Sequence, residues 1–320
     1  MARLVHQYLG NFPSDHDSDW TESLQGVAHD AAHWYFTQKT QILKFHVSTT
    51  LTSNKRSAVS RTSMPAALRR LGGNHFGDPD HLQLGNRGYL VVPVESEDSG
   101  AVLGRQPHLA VFRTDTNLRF VGSAPLVRQN ASEGTSRAGW LAINPTNQLI
   151  YSSTNRINRT KPIFRYKLDV NALLRGDVTL TATTNVVLKK PNGREPITIP
   201  RYLQGGTFSN TGELYLLNGK IGGRAGDGGI RVFNRRGVLI DRSTVRRSQT
   251  NRFRYQFKPG WRTSEEPEGI TFWDLDQLRK RTNVPNKLRG QLHALLLDVQ
   301  VGRKDNIWFK HYKVQRIAKD

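Results

Sequence analysis

A short phrase recurs five times along this 320-residue chain and limits its possible folds more than any other feature. In each copy a glycine opens a short segment, a turn follows, and an aromatic or β-branched strand comes next. The glycines recur at intervals of 51 to 67 residues, at Gly26, Gly77, Gly139, Gly206 and Gly269. A sheet unit that repeats at such a period is typical of a β-propeller, in which blades surround a central channel.

Each repeat predicts a four-stranded blade, although the fourth strand of the first repeat is not obvious because residues 54–61 are polar. In the second repeat the strands are expected near 76–81, 88–94, 108–113 and 118–125, where apolar runs alternate with polar turns. The fifth repeat lacks a fourth strand, and the strand expected at 4–9 has no blade of its own. Placing the strand at 4–9 in the fifth blade, as its fourth strand, removes an open sheet edge. The sequence therefore predicts an all-β chain forming a single propeller domain over 1–320, with five blades. A sixth blade built from weakly patterned segments is the alternative.

Composition narrows the classes of partner. The chain has no cysteine, which excludes disulfides and thiolate metal sites. It has 47 Lys and Arg against 26 Asp and Glu, a formal net charge of +21 that attracts polyanions such as nucleic acid, anionic surfaces or charged glycans. No apolar run is long enough to span a membrane, and the N-terminus shows no signal-peptide pattern. Compartment and oligomeric state stay open.

The first strand of each propeller blade lines the axis, so residues beside the repeated glycines are expected to meet. Blades one, two and five would bring together His29, Asp30, Asp78, Asp80, His81 and Glu268. Such a group predicts either a general acid/base site formed by His29, Asp30, Asp80 and His81, or a divalent cation such as Ca²⁺ held by Asp78, Asp80 and Glu268. The alternative interpretation is structural, because Asp and His at strand ends often hydrogen-bond nearby backbone.

A second candidate lies between blades four and five, where cationic and aromatic residues alternate over 252–258. On a surface loop, Arg252, Arg254, Tyr255 and Trp261 would contact phosphates, bases or sugars. The alternative is a half-buried strand with its aromatic side chains facing inward.

The blade-start phrases 203–208 and 267–270 resemble the propellers of the senescence-marker/gluconolactonase and strictosidine-synthase-like group. That resemblance implies a propeller with a metal-ligating glutamate immediately before a blade glycine, which Glu268 matches. The group is six-bladed and brings further Asn and Asp ligands to the axis. The corresponding ring of this chain holds Gln25, Phe76, Ala138 and Gly205 instead.

Two functional hypotheses follow. The first is a ligand-binding propeller whose electropositive face recognises an anionic or glycan partner. The alternative is a metal-dependent small-molecule hydrolase or lyase with its active site at the mouth of the central channel.

Overall fold

A computed structural model describes residues 3–52, 58–98, 100–115, 117–127, 137–199, 202–219, 228–243, 253–255, 265–298 and 304–318. Its strands form five antiparallel sheets. Blade one consists of β2 (Leu24–His29), β3 (His33–Gln38), β4 (Gln41–His46) and β5 (Ser60–Ser63). Blade two consists of β6 (His75–Phe76), β7 (Asp80–Leu84), β8 (Arg87–Glu95), β9 (His108–Arg113) and β10 (Arg119–Pro125).

Blades three and four repeat the pattern with four consecutive strands each. Blade three contains β11 (Leu141–Ile143), β12 (Ile150–Ser152), β13 (Phe164–Leu168) and β14 (Leu180–Ala182). Blade four contains β15 (Leu203–Phe208), β16 (Leu214–Asn218), β17 (Gly229–Phe233) and β18 (Leu239–Arg242).

Blade five joins the two ends of the chain. Strands β19 (Glu265–Phe272), β20 (Leu292–Asp298) and β21 (Asn306–Ile317) are followed in the sheet by β1 (Arg3–Asp17), which pairs antiparallel with β21. This confirms the predicted closure of the propeller by the N-terminal strand. The strand is longer than the predicted 4–9, because bulges near Gly10 and Ser14 let it follow β21 to its start.

Four short helices lie in the connections: α1 (Ala66–Arg70), α2 (Val102–Arg105), α3 (Val170–Arg175) and α4 (Leu275–Leu278). The carboxylate of Asp169 caps the start of α3 by accepting the N–H of Ala172, and Gly176 ends the helix in the left-handed conformation. No helix within the described ranges is both long and apolar enough to cross a membrane.

Five separate hydrophobic clusters fill the spaces between neighbouring blades. Side chains of strand β3 contribute to two of these clusters. Trp34 and Phe36 point into the cluster shared with blade five, while Tyr35, between them, points into the cluster shared with blade two. Because both faces of a blade are covered, its middle strands are apolar at nearly every position. Five interfaces close the ring, which confirms five blades.

The inner strands touch one another at the repeated glycines, so the axis is closed at that level. A Cβ atom on Gly26 would lie 2.3 Å from the Cα atom of Asp78, and one on Gly269 would lie 2.6 Å from the Cα atom of Gly26. Only glycine permits this approach. The expected channel is thus divided into two separate ends. We call the one before the glycines the glutamate end (Glu95, Glu266 and Glu268) and the one after them the histidine end (His29, Asp30, Asp80 and His81).

Asp78 ties the closed level together. Its carboxylate accepts backbone N–H groups from three other blades: Val27 at 2.8 Å, Gly206 at 3.1 Å and Ile270 at 3.2 Å. Its own N–H donates to the carbonyl of Gly139 in blade three at 2.8 Å. One residue of blade two therefore contacts every other blade.

Candidate functional site

The structure corrects the alignment of blade four by one residue. Gly26 and Gly205 each follow the same bulge in their inner strands. The N–H groups that bind Asp78 come from the residues after Gly26, Gly205 and Gly269. Gly205 is therefore the axial glycine of blade four, and Gln204 precedes it. Gly206 is glycine for another reason, because a Cβ atom there would lie 2.1 Å from the ring of Trp140.

At the histidine end, Asp30 is held by its own blade. Its carboxylate accepts the N–H groups of Ala32 and His33, both at 2.7 Å, and the hydroxyl of Tyr35 at 2.5 Å. The imidazole Nδ1 of His33 lies 3.1 Å from the same carboxylate. Burial alone would raise the pKa of Asp30, but these hydrogen bonds outweigh it and hold the pKa below its usual value.

Asp80 and His81 stand beside it on blade two. The carboxylate of Asp80 accepts the N–H groups of His81 and Ile143, each at 2.7 Å, and burial raises its pKa to about 6. The ring of His81 stacks parallel to that of Tyr35, and its Nε2 lies 3.3 Å from the Thr114 hydroxyl. Burial lowers the pKa of His81 to about 4.

His29 completes this end. Its ring stacks on Trp273 with centroids 4.5 Å apart, and its two nitrogens lie 3.0 Å from the carbonyl oxygens of Asp30 and Phe272. The structure thus places His29, Asp30, Asp80 and His81 at one end of the axis, as predicted. It also gives each of them local partners, so their predicted catalytic role stays a prediction.

The predicted metal site does not assemble. The carboxylate of Asp78 is occupied by three backbone N–H groups and that of Asp80 by two, while Glu268 belongs to the opposite end of the axis. Among the residues that the structure describes, no three His, Asp or Glu side chains form a group that could hold a metal ion. Asp78, Asp80 and Glu268 are therefore not a common ligand set for Ca²⁺.

The glutamate end has the opposite character. The residues immediately before the axial glycines are Gln25, Phe76, Ala138, Gln204 and Glu268. Glu268 is only 3% exposed, and the charges of Glu266, Asp78 and Lys39 act on its carboxylate. Glu266 receives one hydrogen bond, from the Gln204 amide at 3.0 Å. Glu95 receives one, from the N–H of Ala138 at 2.7 Å. Hydrogen bonds between described residues thus satisfy Glu95 and Glu266 less fully than Asp30 and Asp80.

The electrostatics of the glutamate end favour protonated carboxyls. Burial raises the pKa of Glu95, Glu266 and Glu268 above their usual values. The rise is largest at Glu268, where repulsion from Glu266 and Asp78 adds to the effect of burial and the charge of Lys39 opposes it.

Glu97, whose charge acts on Glu95, has a lowered pKa. The imidazole Nδ1 of His75 lies 3.6 Å from the Glu97 carboxylate, and His75 and Lys39 together lower the pKa of Glu97 to about 2. The ammonium of Lys39 lies 3.5 Å from Glu97, and the other side of the His75 ring contacts the Gln25 amide oxygen. The glutamate end therefore combines a buried carboxyl whose pKa is raised with an exposed one whose pKa is lowered, a pattern typical of acid/base sites.

Of the basic, aromatic segment the structure describes only residues 253–255, whose aromatic side chains face the core, as the half-buried alternative predicts. Tyr255 is fully buried between blades four and five, with the Lys310 ammonium 5.4 Å from its ring centre. Phe253 is also buried and stacks on His6 with ring centres 4.0 Å apart. Tyr255 is therefore wrong as a surface contact, because its ring serves the core. Arg254 is half-buried, and Arg252 and Trp261 lie outside the described residues.

Sequence reasoning missed most of the glutamate end. Glu268 was singled out, but as a metal ligand. A signal was present for two further residues. Glu266 lies two residues earlier in the same phrase, and Glu95 ends an apolar strand. A carboxylate that borders a buried strand is rarely there without a partner or a role.

Comparison with known proteins adds information on the fold alone. No protein-family model matches the chain, and no curated protein matches it in sequence. Among solved structures, an exo-β-1,3-galactanase from Phanerochaete chrysosporium is similar with a TM-score of 0.52 and 11% identity, covering 95% of this chain and 64% of the galactanase chain. At this identity the similarity shows a shared fold and nothing further.

Two further structures have lower scores. A GH43_1 enzyme from Xanthomonas citri has a TM-score of 0.48 and 10% identity, over 98% of this chain and 92% of that one. A GH43 endo-arabinanase from Bacillus licheniformis has a TM-score of 0.42 and 12% identity, over 98% of both chains. The five-bladed fold agrees with the predicted propeller but not with the six-bladed group that the blade-start phrases resemble, and membership in that group is not confirmed.

Proposed function

We propose that this propeller binds a carbohydrate at the glutamate end and hydrolyses a glycosidic bond there. The observation that carries the proposal is Glu268, a carboxyl that is only 3% exposed at the axis and whose pKa is raised by burial and by the charges of Glu266 and Asp78. Burying such a group costs stability, and a site that does so is a candidate for acid/base chemistry.

The chemistry needs two carboxyls in different protonation states. Glu268, whose pKa burial raises, donates its proton to the glycosidic oxygen as the bond from the anomeric carbon to that oxygen breaks. Water adds to the anomeric carbon and gives a proton to the carboxylate of Glu97, whose pKa lies at about 2. Lys39, 3.5 Å from Glu97, favours the ionised form of that carboxylate, whereas its charge opposes the raised pKa of Glu268 without reversing it.

The fold neighbours support a carbohydrate as the ligand. The galactanase structure contains β-1,3-galactotriose, and the Xanthomonas citri enzyme has been solved with xylose and with xylotriose. These are properties of those proteins, and they select the compounds with which to begin.

The test is a screen of the pure protein against 4-nitrophenyl glycosides and the trisaccharides named above, followed by the Glu268→Gln variant. We expect release of reducing sugar from at least one substrate and its loss in Glu268→Gln. Glu195→Gln, at an exposed glutamate paired with Lys190 in blade three, is the matched control and should retain full activity. A wild-type protein that neither binds nor cleaves any member of the panel would end the proposal.

The net charge of +21 favours a second candidate function, recognition of a polyanion. Of the proposed contact residues, Arg252, Arg254 and Trp261 remain to be tested, whereas the ring of Tyr255 is buried in the core. Binding to heparin across a salt series tests it, because contacts to a polyanion weaken steeply with salt. Binding that is absent at low salt would exclude this candidate.

A further inference from the structure

A polar cavity of about 430 Å³ opens beside the glutamate end, on blade one. Three segments form its walls: the β1–β2 connection with Asp19 and Glu22, the β3–β4 turn with Lys39 and Thr40, and Lys304 before β21. Its volume lies within the range of about 300–1,000 Å³ that ligand pockets occupy.

The walls of this cavity are held in place without a ligand. The buried amide of Gln38 donates to three carbonyl oxygens of the β1–β2 connection, those of Asp19, Trp20 and Glu22, at 2.8 to 3.3 Å. On the blade-five side, the carboxylate of Asp305 accepts the N–H of Ser23 at 2.9 Å. A wall fixed in this way loses little conformational entropy when a ligand binds.

Two residues connect the cavity to the glutamate end. Lys39 lines the cavity, lies 3.5 Å from Glu97 and lowers the pKa of Glu268 through its charge. Asp305 fixes the cavity wall and also acts electrostatically on Glu268. A ligand that enters at the glutamate end can therefore extend over blade one.

The lining indicates the chemistry of that extension. The lining contains two carboxylates, Asp19 and Glu22, and two ammonium groups, Lys39 and Lys304, and the rest of its side chains are amides and hydroxyls. Such walls offer both donors and acceptors and carry no net charge. They suit the hydroxyl groups of a neutral sugar better than a phosphate or a uronate.

We infer that the cavity on blade one is a binding subsite for further residues of a neutral oligosaccharide whose first residue occupies the glutamate end. This inference rests on the proposed function. It adds the requirement that the protein prefers oligosaccharides to monosaccharides, which a site confined to the axis would not show.

The test compares monosaccharide and trisaccharide binding by calorimetry, with xylose against xylotriose and galactose against β-1,3-galactotriose. For the sugar that binds, we expect the trisaccharide to bind at least about tenfold more tightly than the monosaccharide. In the double variant Thr40→Leu/Lys304→Leu this ratio should fall to about twofold or less, with monosaccharide affinity unchanged.

A matched control makes the comparison specific. Lys304 forms an exposed ion pair with Asp19 at 2.5 Å, and Lys190 forms one with Glu195 at 2.6 Å in blade three. Thr181→Leu/Lys190→Leu repeats the same changes away from the cavity and should keep the wild-type ratio. Equal affinity for monosaccharide and trisaccharide, or a double variant that keeps the wild-type ratio, would overturn the subsite alone. Failure of all four sugars to bind would overturn the proposed function together with it.

Discussion

The two ends of the propeller axis are both lined by titratable side chains, but they use them differently. At the histidine end, both oxygens of the Asp30 and Asp80 carboxylates accept hydrogen bonds from nearby groups. At the glutamate end, Glu95 and Glu266 each accept one hydrogen bond from a described residue. Clustering of acidic and basic residues therefore does not by itself separate the two ends. They differ in how many hydrogen bonds between described residues their carboxylates accept.

Asp78 lies between the two ends, and its carboxylate binds backbone N–H groups of other blades. Its replacement should therefore cause the largest loss of stability. Asp78→Ala leaves three buried N–H groups without their acceptor, at about 1–3 kcal/mol each. We expect the free energy of unfolding in urea to fall by about 3–9 kcal/mol. The exposed Asp177→Ala should leave it unchanged. A loss below about 1 kcal/mol would mean that the hydrogen bonds across the axis do not hold the blades together.

Replacing one carboxyl at each end tests which end is responsible for catalytic activity. On a glycoside that the wild-type protein cleaves, Glu268→Gln should lower kcat by about 10²- to 10⁴-fold, because the proton donor is lost. Asp80→Asn should change kcat by less than about threefold, since the Asp80 carboxylate only accepts backbone N–H groups. Initial rates at pH 6 and 25 °C measure both. The reverse order of effects would move the active site to the histidine end.

The histidine end should in turn control how stability depends on pH. His81 has a folded-state pKa of about 4 against 6.5 for the unfolded chain. The unfolded state therefore binds more protons between these values, and stability falls as the pH falls from 6.5 to 4. In His81→Gln the loss over this interval should be smaller by up to about 3 kcal/mol. Asp80, with a raised pKa, has the opposite slope, but it is present in both proteins.

Urea unfolding of wild type and His81→Gln at half-unit pH steps measures this difference. Parallel stability curves for the two proteins would show that His81 does not titrate below its usual range. The same series on Glu268→Gln should show the opposite sign. Its advantage over wild type should grow as the pH rises above 4.5, because the raised pKa of Glu268 makes its ionisation costly in the folded protein.

The smallest expected effect comes from a single hydroxyl. Tyr35→Phe removes the 2.5 Å hydrogen bond to Asp30, leaving its other donors in place. We expect a loss of about 1 kcal/mol in the free energy of unfolding and no change in kcat. A change in kcat with unaltered stability would contradict the structural role that we assign to Asp30.

Much of the fold could be predicted because it depends on local pattern. The strands of blade two lie close to their predicted positions, since apolar residues on consecutive positions mark a strand that is buried on both faces. The outer strand of blade one, Ser60–Ser63, escaped prediction because it is polar and half-exposed and packs on one neighbour only.

The candidate site was less accessible to prediction. Position before or after a glycine indicated which residues approach the axis, and His29, Asp30, Asp80 and His81 do meet. The same reasoning placed Glu268 with them, because it assumed one open channel. The close contact between Gly26 and Asp78 closes that channel. Residues before and after each glycine therefore lie at different ends of the axis.

The sequence by itself determined that five glycine-led units fold as blades, because burial patterns and close backbone approach are properties of a few consecutive residues. Only the tertiary structure decided that Asp78 binds the N–H of Ile270, 192 residues away, and that Gly205 rather than Gly206 reaches the axis. Only the tertiary structure decided which carboxyls accept N–H groups from other blades. Hydrogen bonds at the axis form between blades, and no local pattern records which donors the closed ring brings to which acceptors.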